Sequence, residues 1–128
     1  MSDRASVTDR TADRAASVFV SERPWGRFEQ FATNEPVTVK TITVEPGHRL
    51  SLQRHTGREE LWHVLDGRAD THVDGVDRVL GPGERVLVPR GATHRLGNSG
   101  DVPLRVRESA FGHFDEDDIE RLQDDYTR

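Results

Sequence analysis

A glycine closes every interval of eight to ten residues between positions 47 and 100: Gly47, Gly57, Gly67, Gly75, Gly83, Gly91 and Gly100. Several sit beside another turn former, as in Pro46-Gly47, Asp66-Gly67, Asp74-Gly75 and Gly81-Pro82-Gly83. Glycine tolerates positive φ and proline fixes its own φ, so such pairs mark tight turns. The segments between them are too short for ordinary helices but long enough for strands. This punctuation predicts an all-β chain, folded as an antiparallel sandwich or barrel. Strands do not alternate with long helices, which argues against a parallel α/β sheet.

Side-chain direction follows from the two-residue period of a strand. Residues 37–45 are rich in β-branched types and predict one strand. Lys40 shares a face with Ile42 and Val44, the more apolar set, so Lys40 is expected to point inward. Gln53 and His55 lie two apart at the end of the next short strand. Glu60, Trp62 and Val64 share a face of the strand after it, which brings Glu60 in with apolar company and turns Glu59 outward. Further strands are predicted over 68–73, 77–80 and 86–88, with Pro89 stopping the last. His94 opens another, and 104–109 is the final one, with Leu104, Val106 and Glu108 on one face. Asp115 followed by Glu116, Asp117 and Asp118 looks like a helix N-cap and first turn. Ile119, Leu122 and Tyr126 then form a helical stripe, so a short C-terminal helix over 115–125 is expected.

The N-terminal residues 1–22 are mostly Ser, Thr, Asp, Arg and Ala. They are expected to be a disordered tail ahead of a domain over 23–128. Arg23-Pro24-Trp25-Gly26 begins the ordered part, and Phe28 and Phe31 are expected to pack on the barrel. The chain has no cysteine, which excludes disulfides and thiolate metal sites. A net charge of −5 argues against nucleic acid as a partner. No apolar run reaches the roughly 20 residues of a membrane helix, and the first residues lack the apolar core of a signal peptide. A cytoplasmic protein that binds no membrane is therefore expected.

Gln53, His55, Glu60 and His94 supply one amide, two imidazoles and one carboxylate. That donor set suits a single divalent metal, with positions left for water or substrate. Zn, Mn, Fe, Co and Ni all accept these donors, and the set does not choose among them.

Two stretches carry a family resemblance. The first runs Gly47-x5-Gln53-x-His55-x4-Glu60-x6-Gly67, and the second is Gly83-x5-Pro89-x-Gly91-x2-His94-x3-Asn98. They resemble the two cupin motifs, with Gln53 where the first motif usually has histidine. The resemblance implies a jelly-roll β-barrel. A narrower similarity covers about residues 23–128. Arg23-Pro24-Trp25-Gly26, Lys40, Gln53-x-His55 with Arg58, Glu60 and Trp62, then His94-Arg95 and Asn98, look like type II phosphomannose isomerases. So does the ending Glu-Asp-Asp-Ile…Tyr-x-Arg. Those domains are commonly fused behind a mannose-1-phosphate guanylyltransferase, and this chain shows no nucleotidyltransferase domain. Family members often read Gln-x-His-His-His-Arg-x-Glu-His-Trp; here Thr56-Gly57 and Leu61 replace three of those histidines.

The activity implied is a metal-dependent interconversion of mannose 6-phosphate and fructose 6-phosphate, supplying sugar nucleotides for polysaccharide synthesis. The metal would polarise the sugar oxygens, and a base would move a proton between C1 and C2. Lys40 and Glu108 are the candidate bases; a buried Lys40 would have a lowered pKa. Arg23, Arg58, Arg95 and Arg128, together with Lys40, are the candidate phosphate donors. His48, His63, His72 and His113 match no motif position and are expected to be surface or packing residues. Two other readings are a non-catalytic sugar- or metal-binding cupin and, on two histidines plus one carboxylate, an iron dioxygenase. The family expectation for assembly is a homodimer through exposed strand edges.

Overall fold

A computed structural model of the chain describes residues 18–126. Eleven strands follow one another: β1 (Phe19–Arg23), β2 (Gly26–Gln30), β3 (Val37–Val44), β4 (Leu52–Arg54), β5 (Arg58–Asp66), β6 (Ala69–Val73), β7 (Val76–Leu80), β8 (Arg85–Val88), β9 (His94–Gly97), β10 (Leu104–Gly112) and β11 (Glu120–Gln123). All pairings between them are antiparallel. One sheet has the order β3-β10-β5-β8, and the facing sheet has the order β11-β4-β9-β6-β7. Neighbours distant in sequence alternate across the two sheets, which is the jelly-roll arrangement expected.

The sequence parities hold where the core forms. Val44, Trp62, Val64, Val73, Leu80, Val88, Leu96, Leu104 and Val106 make one buried cluster between the sheets. Ile42 packs against it, while Val37 and Val39 are exposed, so Lys40 is on the inward face of β3. Asp74 and Gly75 both take positive φ, 52° and 81°, in the β6–β7 hairpin that the Asp-Gly pair predicted. Gly67 is fixed twice: its φ is 82°, and a Cβ there would stand 2.6 Å from the Pro103 carbonyl oxygen. Asn98 of the second motif is buried and structural. Its amide donates to the carbonyls of Val44 and Val102, at 3.0 and 2.8 Å, tying the two sheets together beside β10.

Three expectations are corrected. No helix occurs among the described residues, so none is long and apolar enough to cross a membrane. Residues 115–125 instead make an acidic turn and then β11, which pairs Glu120 with Arg54 and Arg121 with Gln53. The reason is competition for the same groups. Asp115 Oδ1 accepts from the N–H of Asp117 as a cap would, but Asp118 N then donates to Asp115 O and Ile119 N to Asp117 O, tight turn bonds in place of the i→i−4 bonds of a helix. The short β4 has a free edge that β11 fills, and the Arg54–Glu120 ion pair at 2.8 Å joins them. Leu122 and Tyr126, the intended apolar stripe, are exposed.

The second correction concerns the N-terminal segment. Residues 1–17 lie outside those described, but residues 19–22 belong to β1, so ordered structure starts before the expected boundary at 23. Its β1–β2 hairpin leads to Phe31, which meets the His63 ring edge-on, and Glu29 pairs with Arg85 at 2.9 Å. The outer face of β5 is therefore partly covered at His63. As the third correction, Glu59, expected to point outward, is only 2% exposed.

Candidate metal centre

The three charged or ionisable motif residues converge. His55, Glu60 and His94 present ligand atoms that all lie within 4.8 Å of one another, and all three are buried. Glu60 enters from β5, His94 from the start of β9 and His55 from just beyond β4. The strands that carry them belong to different sheets, so the cluster bridges the sandwich.

Hydrogen bonds fix which imidazole nitrogen faces the centre. His55 Nδ1 lies 2.6 Å from the Asp118 carbonyl oxygen, and His94 Nδ1 lies 3.0 Å from that of Ala92. A carbonyl only accepts, so each Nδ1 carries the proton and each Nε2 carries a lone pair. Those Nε2 atoms face Glu60, at 3.4 Å for His55 and 3.8 Å for His94. Burial lowers both histidine pKa values, that of His94 to about 4, which keeps the imidazoles neutral as ligands must be. Glu60 is 1% exposed and its Oε1 has no hydrogen-bond partner. A buried carboxylate oxygen without a donor, facing the neutral Nε2 of His94, with His55 Nε2 beside the other oxygen, fits a divalent cation. Gln53 pairs directly with His94 across β4 and β9. Its Nε2 donates to Ser51 Oγ at 3.1 Å, which leaves the amide oxygen as the atom available to a cation.

Beside the cluster lies a cavity of about 200 Å³, lined by Lys40, Gln53, Arg58, Glu108, Ile119 and Arg121 among others. Glu108 stands between Lys40 and Trp62 in the β3–β10–β5 register. It accepts from Trp62 Nε1 at 3.2 Å, and Lys40 Nζ is 3.7 Å from its other oxygen. Burial, and then the Glu60 charge, push the Glu108 carboxyl up to about 7. A proton held there would give the neighbouring Glu60 the donor it lacks. Lys40 is 42% exposed, so it is not the buried lysine that its expected role as a base required.

The other candidates part company. The Arg58 guanidinium is buried against Glu60 and reaches the cavity. Arg95 points elsewhere: it donates to Leu50 O and, at 2.9 and 3.1 Å, to the side chain and carbonyl of Gln123. It therefore holds β11 in place and lines a separate, larger concavity of about 760 Å³ on the outer face of β6, β7 and β9. Arg23 stays on the N-terminal hairpin, 5.3 Å from the Phe28 ring. Arg128 lies outside the described residues. Arg121 takes the place the sequence reading left open. On a helix it would have been surface charge, whereas on β11 it pairs with Gln53 and lines the cavity. His48 stacks on Tyr126 and His72 pairs with Asp77, so neither joins the site.

Thr56 and Gly57, where the resemblance expects histidines, form a clasp. The Asp118 carboxylate accepts from Thr56 N, Thr56 Oγ1 and Gly57 N at 2.9, 2.8 and 2.7 Å. These bonds, the Thr56 N–H first, lower the Asp118 pKa to about 2. A Cβ at position 57 would come within 2.9 Å of Asp118 Oδ2. The clasp holds the very residue whose carbonyl orients His55.

The two large shifts oppose each other in stability. His94 has a folded pKa of about 4 against an ordinary 6.5, so the unfolded chain binds more protons between those values. That contribution is complete above about pH 6.5 and is lost toward pH 4, on the order of 3 kcal/mol. Glu108 is raised from 4.5 to about 7, so it stabilises the fold as pH falls through that range. Metal-free wild type is therefore expected to show a shallow pH dependence between 7 and 4.5. Metal-free Glu108→Gln should lose stability steadily over the same interval, as read by urea unfolding at each pH.

Comparison with known proteins was made against this geometry. The family model described as "Mannose-6-phosphate isomerase C-terminal" matches residues 10–124. The mannose-1-phosphate guanylyltransferase ManC of Salmonella typhimurium is 42% identical over 107 residues, which is 83% of this chain and 22% of that protein. The alginate biosynthesis protein AlgA of Pseudomonas aeruginosa gives the same 42% over 107 residues, again 83% and 22%. The chain thus spans about a fifth of the length of these curated relatives. Among solved structures, a conserved protein with a double-stranded beta-helix domain from Klebsiella pneumoniae superposes with a TM-score of 0.59 at 22% identity. The match covers 70% of this chain and 76% of that one.

Proposed function

The chain belongs to the mannose-6-phosphate isomerase C-terminal family, and from that premise we propose that it is a metal-dependent aldose–ketose isomerase of mannose 6-phosphate and fructose 6-phosphate. The observation that carries this reading is the cavity. The His55–Glu60–His94 cluster adjoins a space also lined by a carboxyl near neutrality, Glu108, and by three cations, Lys40, Arg58 and Arg121. Those are the groups that moving a proton on an anionic sugar requires.

A divalent metal held by His55, Glu60 and His94, with Gln53 as a further donor, would supply Lewis-acid polarisation of the sugar oxygens. Glu108 is the base in this reading. Without metal its carboxyl is raised to about 7, by burial and then by the Glu60 charge; a cation on Glu60 would offset that charge and favour the ionised form that accepts a proton between C2 and C1. Lys40, 3.7 Å from Glu108, favours the ionised carboxylate. Arg121 and Lys40 take the phosphate. Trp62, donating to the second oxygen of Glu108, holds that carboxylate at a fixed angle. Polysaccharide synthesis is the context of the AlgA relative, as its name states. Guanylyltransferase activity is no part of the proposal, because the match covers 22% of those proteins.

The test is direct. Metal-loaded protein with fructose 6-phosphate is expected to form mannose 6-phosphate, and His94→Ala to lower that rate by at least ~100-fold. Metal bound at His94 without turnover would exclude the reaction and leave a metal-binding module.

A further inference from the structure

We propose that Arg58 is a resident cation that competes with the metal for His55 Nε2, so that metal entry releases one end of its guanidinium into the cavity. The inference rests on the metal reading of the cluster and adds to it a role for a residue of the same pocket.

Arg58 Nε donates to Glu60 Oε2 at 3.0 Å, and Nη2 lies 3.2 Å from His55 Nε2. Arginine has donors only, and His55 Nδ1 already gives its proton to Asp118 O. His55 Nε2 is therefore the acceptor of the Arg58 bond. A neutral imidazole has one such lone pair, lying in the ring plane. It cannot accept from Arg58 and bind a metal at the same time. Glu60 differs, because it has two oxygens. Arg58 occupies Oε2, while Oε1 is without a partner and faces His94. A metal can thus take Glu60 Oε1 and His94 Nε2 without disturbing Arg58, but at His55 one cation must displace the other.

The displaced end has somewhere to go. Arg58 Nη1 is held by Asp115 O at 3.1 Å, and the guanidinium carbon lies 4.4 Å from the centre of the Phe114 ring. These contacts, with the Nε bond to Glu60, keep the side chain in place while Nη2 turns. Lys40 approaches the same ring, at 5.1 Å, and both residues line the cavity. The freed Nη2 adds a donor to the Lys40–Arg121 set, where an anionic ligand group would sit. Without metal, the guanidinium neutralises Glu60 and spares the fold a buried bare carboxylate.

The experiment uses the whole chain, stripped of metal by chelator, with cobalt(II) as the probe and calorimetry as the readout. Arg58→Ala is expected to bind cobalt about tenfold more tightly than wild type, a difference of ~1.4 kcal/mol. N-ethylguanidinium restores the atoms that the substitution removes. At tens of millimolar it should weaken cobalt binding to Arg58→Ala competitively and leave wild type unchanged. Cobalt binding to Arg58→Ala that is equal to or weaker than wild type, or indifferent to ethylguanidinium, overturns the proposal. Should Arg58→Ala not fold, wild type still decides by NMR. Saturation with zinc is expected to speed water exchange of the Arg58 guanidinium protons at least ~fivefold, and unchanged exchange overturns the competition. Failure of the metal reading itself has a different signature: wild type and His94→Ala would then bind cobalt alike.

Discussion

Glu60→Ala is expected to weaken binding of zinc or manganese by at least ~100-fold and to destabilise the metal-free protein by about 3–5 kcal/mol. The first effect follows from the cluster: Glu60 is the only carboxylate in it and lies within 3.8 Å of both Nε2 atoms. The second follows from what remains. Arg58 is 5% exposed, and Glu60, 3.0 Å from its Nε, is the carboxylate it pairs with among the described residues. Alanine leaves a buried guanidinium with neutral partners, the Asp115 carbonyl, His55 Nε2 and the Phe114 ring, and no carboxylate in hydrogen-bond contact. Breaking one side of a buried pair costs more than the pair itself contributes. A third readout separates this from general damage. The Glu60 charge helps hold the Glu108 carboxyl near 7, so Glu108 should titrate lower in the variant. Calorimetry, urea unfolding and carboxyl NMR measure the three. Metal affinity within threefold of wild type and a stability loss under ~1 kcal/mol would remove Glu60 from the centre.

Leu104→Ala is expected to cost about 3–5 kcal/mol and to lower the melting temperature by roughly 10 °C or more, while metal affinity at low temperature stays unchanged. Leu104 is 0% exposed and starts β10, the strand that pairs with both β3 and β5. The cost of a truncated leucine depends on whether the surroundings can close the void. Here they are pinned. Gly67 packs so closely on the Pro103–Leu104 backbone that an added Cβ would lie 3.0 Å from Leu104 Cα, and Asn98 ties the Val44 and Val102 carbonyls nearby. The cavity should therefore persist, which places the loss in the upper part of the range. Leu104 lies at the end of β10 away from Glu108, so the core and the centre can be damaged separately. Thermal unfolding with and without zinc distinguishes them: Leu104→Ala keeps the zinc-induced rise in melting temperature, and Glu60→Ala loses it.

The contrast between these two variants mirrors what was legible in the chain. His55 and Glu60 lie five residues apart on one motif, and strand parity alone turned Glu60 inward with Trp62 and Val64. The second motif delivered His94 in the same way, and the structure brings all three together. Lys40 was also placed correctly on the inward face of β3. Its neighbour Glu108 was a candidate by parity. That the two meet depends on the register that sets Lys40 opposite Glu108.

Arg95 and Arg121 show the limit. The motif drew attention to Arg95, yet its guanidinium is spent on Leu50 and Gln123. Arg121 was not among the candidates, yet it lines the cavity from β11. Arg95 was a candidate through the family resemblance, whereas the omission of Arg121 goes back to the expected C-terminal helix. Local signals favoured the helix: an acidic first turn and an apolar stripe at positions 119, 122 and 126. What opposed it was the free edge of β4, some sixty residues earlier, together with the clasp of Asp118 on Thr56 and Gly57. Glu59 is a further case: parity turned it outward, yet it is 2% exposed.

The sequence by itself determined the turns, the strand parities and the donor set. The turns and parities are properties of residues within about ten positions, governed by φ preference and side-chain alternation, and the donor set is a matter of ligand chemistry carried by two short motifs. Tertiary structure alone decided which cations reach the cavity, that Arg58 occupies the lone pair of His55, and that residues 120–123 are strand. These depend on pairing between distant segments. There the gain from satisfying an open sheet edge and a buried charge exceeds the few tenths of a kcal/mol per residue, roughly, that local propensity contributes.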